Sequence, residues 1–228
     1  ESPVDPNNLD APAVDTAALC NAEGTDVNVA AFVADCPNLS DYRLFADAAD
    51  PLTGPNGNGV GYDLNTSLFS DYANKYRFVY VPEGAAAAYR NQEVFDFPVG
   101  TIIAKTFTIQ ADLRIADSRQ DIIETRLLLR RKDGWKALPY TWNPSKTEAV
   151  LTLTGGTQNV NWVDISGVAQ STDYIIPNSN NCANCHGEDK LIPIGPKARS
   201  LNKDYAYDSG VSNQLTHWTE AGILAGVP

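Results

Sequence analysis

Five consecutive residues near the end of the chain, Cys182-Ala183-Asn184-Cys185-His186, carry the clearest chemistry. Their C-x-x-C-H spacing is that of covalent attachment of c-type haem. On a helical turn, two thiols separated by two residues point the same way. Each can form a thioether with a vinyl group on one porphyrin edge, and the adjacent imidazole can swing beneath the ring to bind iron. Two rival chemistries fit less well. A thioredoxin-type redox pair requires a strand leading into a helix, whereas this segment follows the polar turn Pro177-Asn178-Ser179-Asn180-Asn181. A structural zinc site requires four ligands from a chain holding only four Cys and two His. Haem c bound by Cys182 and Cys185, with His186 as the proximal ligand, is therefore the expected cofactor. Gly187 and the apolar loop Leu191-Ile192-Pro193-Ile194-Gly195-Pro196-Lys197 follow directly. A macrocycle needs such an apolar sleeve to exclude water and set its potential.

The second axial position is approached by elimination. The chain contains no Met, and its one other histidine is His217, within Asn213-Gln214-Leu215-Thr216-His217-Trp218. A helix there would aim His217 at the distal face, giving a bis-His, low-spin iron. The alternative is a surface or core-edge histidine, with the sixth site empty, water-bound or filled by a neighbouring chain.

Weaker constellations lie upstream. The stretch from Asp50 to Asp63 alternates oxygen-bearing residues with glycine, so Asp50, Asn56, Asn58 and Asp63 are candidate calcium ligands. It lacks the twelfth-position Glu of an EF-hand, and the competing reading is a glycine-rich turn. Asn38-Leu39-Ser40 and Asn65-Thr66-Ser67 match the glycosylation sequon. Cys20 and Cys36 bracket a partly helical piece and are expected to form a disulfide, as suits an oxidising compartment. No G-x-S-x-G, H-E-x-x-H or phosphate-binding loop is present.

These residues need elements to hold them. Residues 1–17 are rich in Pro, Asp and Asn and read as an extended arm; 18–59 as the disulfide-linked segment and glycine-rich loop. Residues 60–176 are β-rich. Lys75–Val81, Thr101–Gln110, Ile122–Arg131 and Asn159–Ile165 alternate or are dense in β-formers, and Asp133-Gly134, Asn143-Pro144 and Gly155-Gly156 punctuate them. In the third run, Ile123, Thr125, Leu127 and Leu129 are assigned one face and Glu124, Arg126 and Arg130 the other. The expectation is a mainly β fold, an antiparallel sandwich or barrel-like domain. Residues 177–228 are expected to add a small α-helical, cytochrome c-like haem segment. Its helices are placed around 180–187 and from Ser212, as N-cap, to about Leu224.

The stretch from Gly61 to Lys75, GYDLNTSLFSDYANK, resembles a motif of poorly characterised exported bacterial proteins. Phe97-Pro98-Val99-Gly100-Thr101, Glu124-Thr125-Arg126-Leu127 and Trp142-Asn143 fit the same group. Those proteins join a β-rich region to a C-terminal C-x-x-C-H segment, so the resemblance, over roughly residues 40–228, implies haem and export. It assigns no reaction.

Composition narrows the function. With 43% apolar residues the chain supports a sizeable core. A net charge of -11 repels polyanions, so nucleic acid is an unexpected partner. No apolar run reaches the length of a membrane-spanning helix. The absence of any Met, even an initiator, reads as removal of an export signal, placing the protein in the periplasm, at the cell surface or outside the cell. The leading expectation is an exported monohaem cytochrome that transfers single electrons to redox partners or to copies of itself. A self-assembling surface or filament protein, built by strand addition through the arm, is the second reading. A peroxidase-like or gas-binding protein with an open sixth site is the third.

Overall fold

The structure, a computed structural model, describes residues 15–178, 181, 186–187 and 190–228. Cys182, Cys185, most of the helix expected at 180–187 and most of the N-terminal arm, with the strand-addition role assigned to it, lie outside the described residues.

Asp15 caps helix α1 (Thr16–Cys20) by accepting from the Ala18 amide. The apolar run after Asn28 forms a 3-10 turn, Val29–Val33, and a second spans Leu39–Tyr42. Strands β1 (Phe45–Asp47) and β2 (Asp50–Pro55) pair as a hairpin. Then come β3 (Val60–Gly61), β4 (Asn74–Tyr80), the short β5 (Ala87–Ala88), β6 (Ile102–Gln110), β7 (Gln120–Arg131), β8 (Gly134–Trp142) and β9 (Ala149–Leu151). A hairpin of β10 (Gly156–Val163) and β11 (Ala169–Ile176) follows. The chain then makes helix α2 (Ala198–Leu201), the hairpin β12 (Asp204–Tyr207) and β13 (Gly210–Asn213), helix α3 (Gln214–Glu220) and β14 (Leu224–Ala225), which pairs parallel to β5.

The fold is mainly β with antiparallel sheets. Its centre is an open six-stranded sheet in the order β3-β4-β6-β7-β8-β9. Short loops join the long strands β6, β7 and β8, so neighbours in sequence pair as a meander. The layers covering this sheet are hairpins, short helices and loops. No second large sheet appears among the described residues, and the central sheet is open, with β3 and β9 at its edges.

Alternation decides which side chains go to each face. Phe78, Tyr80, Ile102, Ala104, Leu127 and Leu129 project to one face. There they meet Phe32, Leu39, Tyr42 and the bonded pair Cys20–Cys36. Tyr140 donates to the Cys36 carbonyl at 2.8 Å, and Tyr42 to that of Ala34 at 2.8 Å. Arg131 clamps the same segment: it pairs with Asp35 at 2.8 Å and donates to the Phe32 and Ala34 carbonyls.

The disulfide cross-links the segment that seals this core. Replacing both Cys20 and Cys36 with serine is expected to cost about 3 kcal/mol, from the entropy of a loop of about 15 residues. In a chain of this size that lowers the thermal midpoint by roughly 6–12 °C. Calorimetry of the variant beside the native protein checks the value.

The opposite face is split. At one end Val79 and Ile103 pack with Tyr62, Phe95, Leu201 and Trp218. At the other, Phe107 and Ile109 pack with Val160, Trp162, Tyr174 and Ile176 of the β10–β11 hairpin. Ile123 belongs to this second group and not with Leu127 and Leu129 as its position in the alternation suggests. A bulge is the cause: Phe107 opposes Glu124 but Thr108 opposes Ile122, so Ile123 is the extra residue and turns to the other face. Helix α3 also differs from expectation. Its N-cap is Asn213, accepting from the Leu215 amide at 3.0 Å, because Ser212 is taken up by the β12–β13 pairing. It ends at Glu220, and Gly222, at φ 73°, turns the chain away. No helix among the described residues is long and apolar enough to cross a membrane.

Candidate functional site

Between the two clusters on the split face lies a cavity of about 490 Å³. That is within the usual range for a small-molecule or cofactor site. Its floor is the central sheet, with Ile103, Lys105 and Phe107 from β6, Arg126 and Leu128 from β7 and Pro139 from β8. Leu64, Leu68 and Phe69 line one wall, and His186 with the Pro193–Pro196 loop lines another. The apolar loop expected to sleeve a macrocycle is therefore part of a cavity wall.

His186 is half-buried and held by its neighbour. Its Nδ1 lies 2.6 Å from the Ile192 carbonyl, and the Ile192 amide donates to the His186 carbonyl at 2.8 Å. A carbonyl only accepts, so Nδ1 carries the proton and Nε2 of the neutral ring keeps its lone pair. An imidazole oriented this way by a backbone carbonyl is the usual arrangement for a metal ligand. Burial pushes its pKa down, and the nearby Lys105 and Arg126 charges add to the effect, outweighing the Ile192 bond. The neutral, ligating form is favoured. Gly187 makes the turn possible: its φ is 108°, and a Cβ there would sit 2.6 Å from the Lys190 carbonyl oxygen.

The other notable feature is charge. Lys75, Arg77, Lys105 and Arg126 all line the cavity, in a protein of net charge -11. Register places Arg77 opposite Lys105, and Lys105 opposite Arg126, a row of three cations across three strands. Directly opposed like charges destabilise a sheet unless counter-charges stand near them. Two of the cations have carboxylate partners. Arg77 pairs with Asp63 at 2.8 Å and donates to Ser67 Oγ. Arg126 grips Glu124 with two nitrogens and stacks its guanidinium 4.2 Å from the Phe107 ring centre. Lys75 donates to the Leu68 carbonyl. Burial, then the charges of Arg126 and Arg77, bring the Lys105 pKa down to about 7. Its surface is only partly covered because it faces the open cavity. Alternation assigned Arg126 to the face opposite Leu127 and Leu129, and nothing in the spacing of the four cations showed that they share a roofed face.

The remaining candidates lie elsewhere. His217 is on α3, stacked on Tyr207 with ring centres 3.5 Å apart and 12° between planes, and it does not line the cavity. Its neighbour Trp218 is fully buried against Tyr62. Among the calcium candidates, Asp63 is bound by Arg77 and by Lys203 at 2.8 Å. Burial works to raise its pKa, but the Lys203 and backbone hydrogen bonds and the two charges hold it below the usual carboxylate range. Asp50 accepts from the Leu52 amide. Asn56 donates to the Thr25 and Arg43 carbonyls, and Asn58 to that of Val81. Asp50 is thus engaged in its own turn, and Asn56, Asn58 and Asp63 in bonds to distant segments.

Comparison with protein-family models, curated proteins and solved structures finds no match to this chain.

Proposed function

We propose that the protein is an exported monohaem c-type cytochrome whose porphyrin occupies this cavity and which transfers single electrons. The observation that carries the proposal is His186. It belongs to a C-x-x-C-H sequence, faces the cavity, and has its Nδ1 fixed by a backbone carbonyl so that Nε2 is available. Cys182 and Cys185 would hold the ring through two thioethers, and His186 would bind the iron. Bound there, the haem supplies a one-electron couple.

The chain's own residues do the rest. Leu64, Leu68, Ile103, Phe107 and the Pro193–Pro196 loop exclude water from the ring. Lys75, Arg77 and Arg126 suit the propionate carboxylates that a porphyrin carries. The same cations and the low-polarity walls would set its potential. In this reading residues 177–228 are the cytochrome-like part, seated on the β sheet instead of forming a free-standing helical domain. The Cys20–Cys36 bridge agrees with an oxidising compartment. The partner is a redox protein or another copy of the chain, since one haem spans only a short distance.

The test is a visible spectrum of the purified protein, oxidised and then reduced, together with its intact mass under denaturing conditions. The expected result is a sharp reduced-state spectrum of a c-type haem and a mass exceeding the polypeptide by one haem. A colourless protein, or one whose mass equals bare polypeptide, overturns the proposal.

A further inference from the structure

Resting on that reading, we propose that the side-chain amine of Lys105 is the second axial ligand of the haem iron. The observation is its placement. Lys105 sits mid-strand on the sheet floor of the cavity that His186 also lines.

Few side chains lining this cavity could serve. The chain has no Met, and His217 lies outside the lining. Tyr62 lines it, but burial pushes its hydroxyl up to about 12, so the phenolate that binds iron well is costly. Lys75 turns its ammonium to the Leu68 carbonyl. The Lys105 ammonium makes no hydrogen bond or ion pair with the described residues, and the Phe107 ring centre lies 5.1 Å from Nζ.

An amine binds metal only after losing its proton. Lys105 is flanked in register by the guanidiniums of Arg77 and Arg126, and both make the ammonium unfavourable. Glu124 acts the other way, but its carboxylate is engaged by Arg126 and by the Tyr174 hydroxyl. Lys75 adds further repulsion. Buried lysines shift in this way readily, whereas arginines do not, and the middle cation of the row is the lysine. On ligation the ammonium releases one proton to solvent and its lone pair binds iron; no electron is transferred.

The experiment uses the full haem-bearing protein and compares ferric absorption and EPR spectra of the native chain with those of Lys105→Ala, Lys105→Arg and His217→Ala. The native protein is expected to be low-spin. Both Lys105 variants should convert to high-spin with covalent haem content unchanged, and His217→Ala should stay native. The arginine variant keeps the charge, so a lysine that only paired with a propionate would leave its spectrum low-spin. That result, or a high-spin native protein, overturns the assignment while leaving the covalent haem standing. As a measurement independent of any variant, NMR of the reduced protein should show lysine side-chain methylene protons shifted far upfield by the porphyrin ring current; their absence overturns it too. A native chain without covalent haem defeats the proposed function itself and is recognised by mass.

Discussion

If the proposed haem is held as argued, exchanging Cys182 and Cys185 together for alanine is expected to yield a protein from which acid and organic solvent extract all haem. Exchanging either one alone leaves the ring attached by a single bond. Each thioether forms from one sulfur and one vinyl group, so the effect is all-or-none for the pair and graded for the singles. A haem stain of a denaturing gel, with the reduced absorption band of each variant, reads the result directly. The single variants should keep the band with a shifted maximum, because one vinyl group returns to conjugation. The polypeptide should still fold in the double variant. The core around Tyr42 and Tyr140 and the one around Phe107 and Trp162 draw on residues outside the segment 177–201, apart from the sheet they share. What it loses is the ligand's contribution to stability, which follows the affinity of the site. Haem that resists extraction from the double variant would show that these thiols are not its anchors.

The second large effect is on stability. Glu124→Ala should cost 3–5 kcal/mol, the usual range when one partner of a buried ion pair is removed. Glu124 is fully buried at the bulge of β7. It accepts two bonds from Arg126 and one, at 2.7 Å, from the Tyr174 hydroxyl of β11. Without the carboxylate, the half-buried Arg126 guanidinium stands one strand from Lys105 with no counter-charge from Glu124. The Tyr174 hydroxyl, 2 % exposed as a residue, loses its acceptor. Both losses fall where the β10–β11 hairpin packs on the central sheet, so that hairpin should loosen first. Urea denaturation measures the total, and amide exchange in Val160–Val163 and Tyr174–Ile176 locates it. A cost below 1 kcal/mol would mean that the pair is solvated.

Much of the local structure was legible before any coordinates. Period-2 runs closed by Gly or Pro marked β4, β6, β7 and β10 to within a few residues, because alternation is a direct consequence of the pleat. The cysteine pair at 20 and 36 was read from compartment and spacing. Two things escaped. The turn of Ile123 to the other core depends on a bulge, which is a property of two strands in register and leaves no trace in one. The position of α3 depends on Ser212 being claimed by a hairpin partner, again a non-local choice.

The amino-acid sequence alone supplied the motif behind the proposed haem attachment, since thioether formation and iron ligation depend on residue type and spacing within five consecutive positions. It also determined the β character of the middle of the chain. Only the tertiary structure decided what faces His186. Lys75, Arg77, Lys105 and Arg126 come from three strands spread over 52 positions, from 75 to 126, and strand pairing gathers them under a loop that follows much later in the chain. Only the tertiary structure, too, put His217 against Tyr207 and outside the cavity. The physical reason is the same in both cases. A side chain's direction is set by its own strand or helix, but whether that direction ends in water, in a core or at a cofactor is set by what the rest of the chain lays over it.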